Sequence, residues 1–161
     1  MIEISKRYRF EAAHYLPHVA PGHQCKRLHG HSYVMEVALS GTLTQTTGWV
    51  MDFGTMTDLM VKPLLEQLDH YCLNDIEGLD NPTAERLAEW LFARLGAVVL
   101  NDTMDIARNI QLVYVAVEET QNTRAVCYAN HLAGEDRWQA SQHGPAGLPA
   151  GVGGASPKGT Q

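Results

Sequence analysis

The sequence predicts an α+β fold, a four-stranded antiparallel sheet with two helices on one face, and three observations predict it. Apolar residues alternate with polar ones in two early segments, recur at three- and four-residue steps in two later ones, and run almost unbroken through a fifth. The resulting order is strand, strand, helix, helix, strand, strand, a pattern that segregates helices to one side of an antiparallel sheet.

In the first strand Ile2, Ile4, Tyr8, Phe10 and Ala12 share one parity, with Lys6 as the exception, so the inward face ends in His14. The second strand runs from His31 to Leu43, where Tyr33, Met35, Val37 and Leu39 share the parity of His29 and His31, and Gly41 with the polar stretch to Gly48 closes it. A helix begins at Asp52, its N-cap, with Met56, Leu59, Met60, Leu64 and Leu68 at helical steps, and Pro63 kinks or splits it. For the next helix Asn81 is the expected cap and Pro82 the first helical residue. Its apolar stripe is Ala84, Leu87, Ala88, Leu91, Phe92 and Leu95, and Gly96 weakens or ends it. Residues 110–119, IQLVYVAVEE, are apolar on both parities, which predicts a strand covered on both faces. A hairpin through TQNT then leads to a last strand over 124–131.

Residues 1–131 are read as one domain, and the Gly/Ala/Pro-rich stretch 132–161 as a flexible tail too poor in apolar residues to offset its ordering entropy. Twelve basic residues against 18 acidic ones give a net charge of −6, which excludes a general attraction to nucleic acid or an anionic membrane and favours a small-molecule partner. The three cysteines are odd in number and irregularly spaced, which points to free thiols in a reducing compartment. With no signal-peptide-like apolar run, the expected location is the cytoplasm.

The chemistry concentrates in CKRLHGHSYVMEV, residues 25–37. In an extended segment His29 and His31 project from one face, and Gly30 between them permits close backbone approach. Neutral imidazoles at this spacing chelate, and zinc suits them, with a fourth position left open when the protein supplies three nitrogens. His14, at the end of the preceding strand, is the candidate third ligand, with Cys25 as the alternative. Asp69 and His70 could form a proton-transfer pair, or His70 could simply meet a helix dipole. Glu119 ends a nearly apolar strand on the parity of Val113, Val115 and Val117, where it either reaches solvent or accepts paired donors. Thr83 and Glu85 fit a helix first turn for ordinary capping and dipole reasons.

The runs FEAAH, CKRLHGH, GWVMDF, LDH, NPTAE and EET, in this order between residues 10 and 120, resemble the 6-pyruvoyl-tetrahydropterin synthase family. Within it they are most similar to the 6-carboxy-5,6,7,8-tetrahydropterin synthases of bacterial queuosine biosynthesis. The resemblance implies a tunnelling fold whose subunits close a β-barrel as a homo-oligomer, with active sites near subunit interfaces. It implies zinc held by His14, His29 and His31, Cys25 as catalytic base, and Asp69 with His70 completing a proton relay. Glu119 would anchor the pterin ring, with Thr83 and Glu85 nearby. The implied substrate is 7,8-dihydroneopterin triphosphate, from which triphosphate and acetaldehyde are lost. Two rivals stand beside this. The pyruvoyl branch eliminates only triphosphate, but carries a longer insert than the three residues between Cys25 and His29. A non-catalytic zinc protein would use Cys25 as a fourth ligand and close the site.

Overall fold

The computed structural model describes residues 1–101 and 109–129, and the segment 132–161 expected to form a tail lies outside them. The strands are β1 (Ile2–His14), β2 (His29–Gly41), β3 (Tyr71–Cys72), β4 (Gln111–Thr120) and β5 (Thr123–Tyr128). The helices are α1 (Phe53–Thr55), α2 (Lys62–Leu68) and α3 (Ala84–Asn101). They make one sheet in the order β3-β1-β2-β4-β5. The expected sheet of four strands thus has a fifth, and β3 runs parallel to β1, pairing Tyr71 with Ala12 and Cys72 with Ala13. Two residues are too few to leave an alternating pattern in the sequence.

β1 and β2 pair along their whole lengths, from Ile2 opposite Gly41 to His14 opposite His29. The inward parity holds for Tyr8, Phe10, Ala12 and His14, whereas Ile2, at the far end, is exposed. In β4 a bulge between Tyr114 and Leu112 leaves Val113 out of the pairing with β2. Leu112, Val115 and Val117 consequently share the core, and Val113 does not belong to the parity predicted for it. Ala116 is also buried, so the strand is covered on both faces in part.

The first helical stretch starts where expected: the Asp52 carboxylate accepts from the Thr55 amide at 2.9 Å. α1 continues through a π-helical turn, Met56–Val61, into α2, whose first turn holds Pro63. Proline has no N–H to donate and its ring crowds the carbonyl four residues back, and the widened turn just before it accommodates both defects. α3 begins later than predicted. Thr83, not Asn81, is its cap: the Thr83 hydroxyl accepts from the Arg86 amide and its carbonyl from the Leu87 amide. Gly96 does not end the helix, because Leu91 and Leu95 beside it are fully buried, which outweighs the ~1 kcal/mol a helical glycine costs. Both helical stretches lie on one face of the sheet, where Leu64, Leu68, Leu87, Leu91 and Leu95 share a single core with Phe10, Met35, Val37 and Val117. Among the described residues no helix is long and apolar enough to cross a membrane.

Candidate active site

The full-length register of β1 and β2 does most of the assembly. Because His14 lies opposite His29 and His31 is two residues on, three imidazoles meet at one end of the inward face. Their ligand atoms all lie within 4.8 Å of one another. His14 is buried, 1% exposed, and its Nδ1 lies 2.8 Å from the Pro82 carbonyl. His29 Nδ1 lies 2.7 Å from the Arg27 carbonyl, and His31 bonds the main-chain carbonyl of Glu119. A carbonyl only accepts, so Nδ1 of both His14 and His29 carries a proton, and in the neutral tautomer this leaves Nε2 with its lone pair. These two Nε2 atoms face each other at 3.1 Å. Burial lowers the pKa of His14 and of His31, with the neighbouring imidazoles adding to the effect, so both rings favour the neutral form. Three imidazoles with converging nitrogens, each ring fixed from behind by a main-chain carbonyl, form an arrangement that could hold a metal ion.

Glu119 joins this cluster. Its carboxylate Oε1 stands 4.0 Å from His14 Nε2. Burial raises its pKa, the Glu85 carboxylate raises it further, and His29 pulls it down. Glu85, on the first turn of α3, is therefore close enough to be felt, and the Thr83 hydroxyl beside it is engaged as the helix cap. The adjacent Glu118 faces the opposite side of the sheet, where it pairs with Arg7 and Arg124. Beneath the triad, Tyr33 is wholly buried and places its ring edge-on to His14 and His31, with its hydroxyl lacking a partner among the described residues.

The other candidates lie around this cluster and not inside it. Asp69 and His70 bond each other, Nδ1 to Oδ2 at 3.0 Å, and Asp69 Oδ1 accepts the Glu11 amide. That amide bond, with His70 secondarily, lowers the Asp69 pKa. Tyr71 pairs with Ala12 and Ala12 with His31, so His70 stands about two strand spacings, roughly 10 Å, from the triad. His70, His31, Gly30 and Cys72 line one open cleft of about 440 Å³. Cys25 is half-buried in the turn before β2, and its thiol is not one of the clustered ligand atoms. A Cβ on Gly30 would come to 3.3 Å from the Ala12 carbonyl, so the glycine serves the close approach of β1 and β2. Sequence reasoning missed the carbonyls of Pro82, Arg27 and Glu119, since main-chain acceptors leave no mark in residue types.

A histidine triad oriented by main-chain carbonyls, next to a half-buried carboxylate at the end of a helix-backed sheet, is a group that could hold a metal ion. The chain belongs to the 6-pyruvoyl tetrahydropterin synthase family, whose model matches residues 3–130. It is 44% identical over 96 residues to the 6-carboxy-5,6,7,8-tetrahydropterin synthase of Synechocystis sp., covering 57% of this chain and 73% of that protein. It is 36% identical over 89 residues to the dihydroneopterin monophosphate aldolase of Pyrococcus furiosus, covering 55% and 70%. The solved 6-pyruvoyl tetrahydropterin synthase of Caenorhabditis elegans matches with a TM-score of 0.66 at 26% identity, over 79% of this chain and 94% of that one. The tunnelling fold and the expectation of an enzyme are borne out.

Proposed function

We propose that the protein is a zinc-dependent lyase that converts 7,8-dihydroneopterin triphosphate and water into 6-carboxy-5,6,7,8-tetrahydropterin, releasing acetaldehyde and triphosphate, in the cytoplasmic route to queuosine. The observation that carries the metal part is the pair of facing Nε2 atoms, His14 and His29, 3.1 Å apart with both Nδ1 protons committed to carbonyls. Tetrahedral zinc with bonds of about 2.0 to 2.1 Å holds its nitrogens about 3.3 Å apart, close to that spacing. Zinc bound to His14, His29 and His31 would supply a Lewis acid for the substrate's side-chain hydroxyls.

The chain's own groups do the rest. Glu119 accepts two parallel bonds from the guanidine-like edge of the pterin, fixing the ring while its side chain reacts, with Thr83 and Glu85 at the border. Cys25 takes the proton from the side-chain carbon. Asp69, itself held by the Glu11 amide, orients the His70 ring to carry that proton onward. His70 lies at the edge of the sheet, and β3 covers only Ala12 and Ala13 of β1, so β1 and β5 both present open strand edges among the described residues. Pairing of those edges between copies would close a barrel and bring the Asp69–His70 pair of one copy toward the triad of another.

Product analysis tests the assignment. Incubation with the triphosphate should yield acetaldehyde and the carboxy product. The 6-pyruvoyl product would assign the chain to that branch, and turnover of dihydroneopterin monophosphate alone would assign it to the aldolase reaction of its Pyrococcus relative.

A further inference from the structure

Asn74 lies in QLDHYCLND, just beyond the Asp69–His70 pair, and nothing in the chemistry above uses it. Its side-chain amide grips the residue after β1 and the loop before α3. Oδ1 accepts the Tyr15 amide at 2.9 Å, and Nδ2 donates to the Tyr15 carbonyl at 2.9 Å and to the Asp80 carbonyl at 3.3 Å. The two-point grip on Tyr15 copies a sheet pairing one residue after β1 ends. Tyr15 follows the ligand His14 directly. The next residue, Leu16, donates its amide to the Cys25 carbonyl at 2.8 Å. Asp80 in turn lies two residues before Pro82, whose carbonyl takes the Nδ1 proton of His14. One amide therefore ties the strand end that carries His14 to the loop that fixes the His14 tautomer, and the neighbouring Leu16 amide joins that strand end to the turn that carries Cys25.

We infer that Asn74 is a positioning residue of the metal site, which presupposes the metal reading above: it holds His14 against the Pro82 carbonyl so that Nε2 points at the ion. At the other end of the same segment Asp69 and His70 bracket Glu11 in the same way, Oδ1 accepting its amide and the His70 amide donating to its carbonyl. Residues 69–74 thus splint β1 from Glu11 to Tyr15, with the two-residue β3 between the brackets.

The test is Asn74→Asp, which keeps the shape and the acceptor but turns the donor that faces two carbonyls into a second acceptor. Cobalt(II) binding followed by visible absorption, with zinc competition, gives metal affinity. Nitrogen-15 NMR of the imidazoles in metal-free protein gives the His14 tautomer. In folded Asn74→Asp the dissociation constant should rise about tenfold, the scale of lost outer-shell support, and the fixed Nδ1–H form of His14 should be lost. Trp90→Phe removes a 3.0 Å bond to the Glu77 carbonyl from the same loop region without touching Tyr15, and should leave both readings unchanged. If Asn74→Asp does not fold, the uncharged Asn74→Ser takes its place in the same measurements. Parental affinity and tautomer in the folded Asn74 variant, or equal losses in Trp90→Phe, would overturn the inference. Failure of the parent to bind cobalt or zinc would refute the metal reading, while the metal-free tautomer still judges Asn74.

Discussion

Glu118 and Glu119 are neighbours with opposite surroundings, and exchanging each for glutamine separates ligand binding from fold stability. Glu119 faces the triad, half-buried, with its carboxyl pKa raised by burial and by Glu85. A carboxylate that accepts two bonds from a ligand gains about 1.5–3 kcal/mol from each. Glutamine keeps one acceptor and presents an amide donor to the other ligand donor. The loss should be about 2–4 kcal/mol, or about 30- to 900-fold in kcat/KM, appearing first in KM. The same change removes a charge that folding desolvates, so the thermal midpoint of Glu119→Gln should stay level or rise. Glu118 instead meets Arg7 and Arg124, which are 57% and 41% exposed, on the other face. Glu118→Gln should cost at most about 1 kcal/mol of stability and leave turnover unchanged. Steady-state kinetics and thermal melts of the two variants decide it. A larger kinetic loss in Glu118→Gln, or a Glu119→Gln that melts far below the parent, would refute the assignment of the inward carboxylate to the ligand.

Cys25→Ala should abolish turnover while metal content stays at the parental level, because the thiol is not among the clustered ligand atoms; loss of metal would favour the closed four-ligand site. In metal-free protein His14 makes stability depend on pH. Its folded pKa lies below the ordinary 6.5, so the folded state holds fewer protons than the unfolded one below that value. Stability should therefore be flat above about 6.5 and fall with acidification until the depressed folded pKa is passed. Denaturant titrations across this range check the sign, and His14→Asn should reduce the slope to the part that His31 contributes. Composition predicts that a chain ended after His131 keeps its fold and turnover, which circular dichroism and product formation can measure.

What could be read from sequence follows from what leaves a periodic mark. The parity of Tyr8, Phe10 and Ala12 carried through to His14, and that of Tyr33 and Met35 back to His29 and His31, so the triad was legible once the two strands were paired. Val113 broke its parity because a bulge adds a residue without changing the residue types around it. Asn81 before Pro82 has the pattern of a cap and a first helical residue, yet Pro82 serves with its carbonyl, and the Thr83 hydroxyl caps the helix. β3 and the Asn74 grip were invisible for a related reason. β3 is main-chain pairing over two residues and the Asn74 grip is a side-chain amide on the main chain of Tyr15, and both are set by tertiary approach and not by pattern.

The most direct test of a zinc-dependent carbon–carbon cleavage is acetaldehyde release from 7,8-dihydroneopterin triphosphate by chelator-stripped protein, before and after one equivalent of zinc. The geometry of His14, His29 and His31 predicts no release before and full release after. Acetaldehyde from protein shown to be metal-free, or none from the zinc-loaded protein, would contradict it.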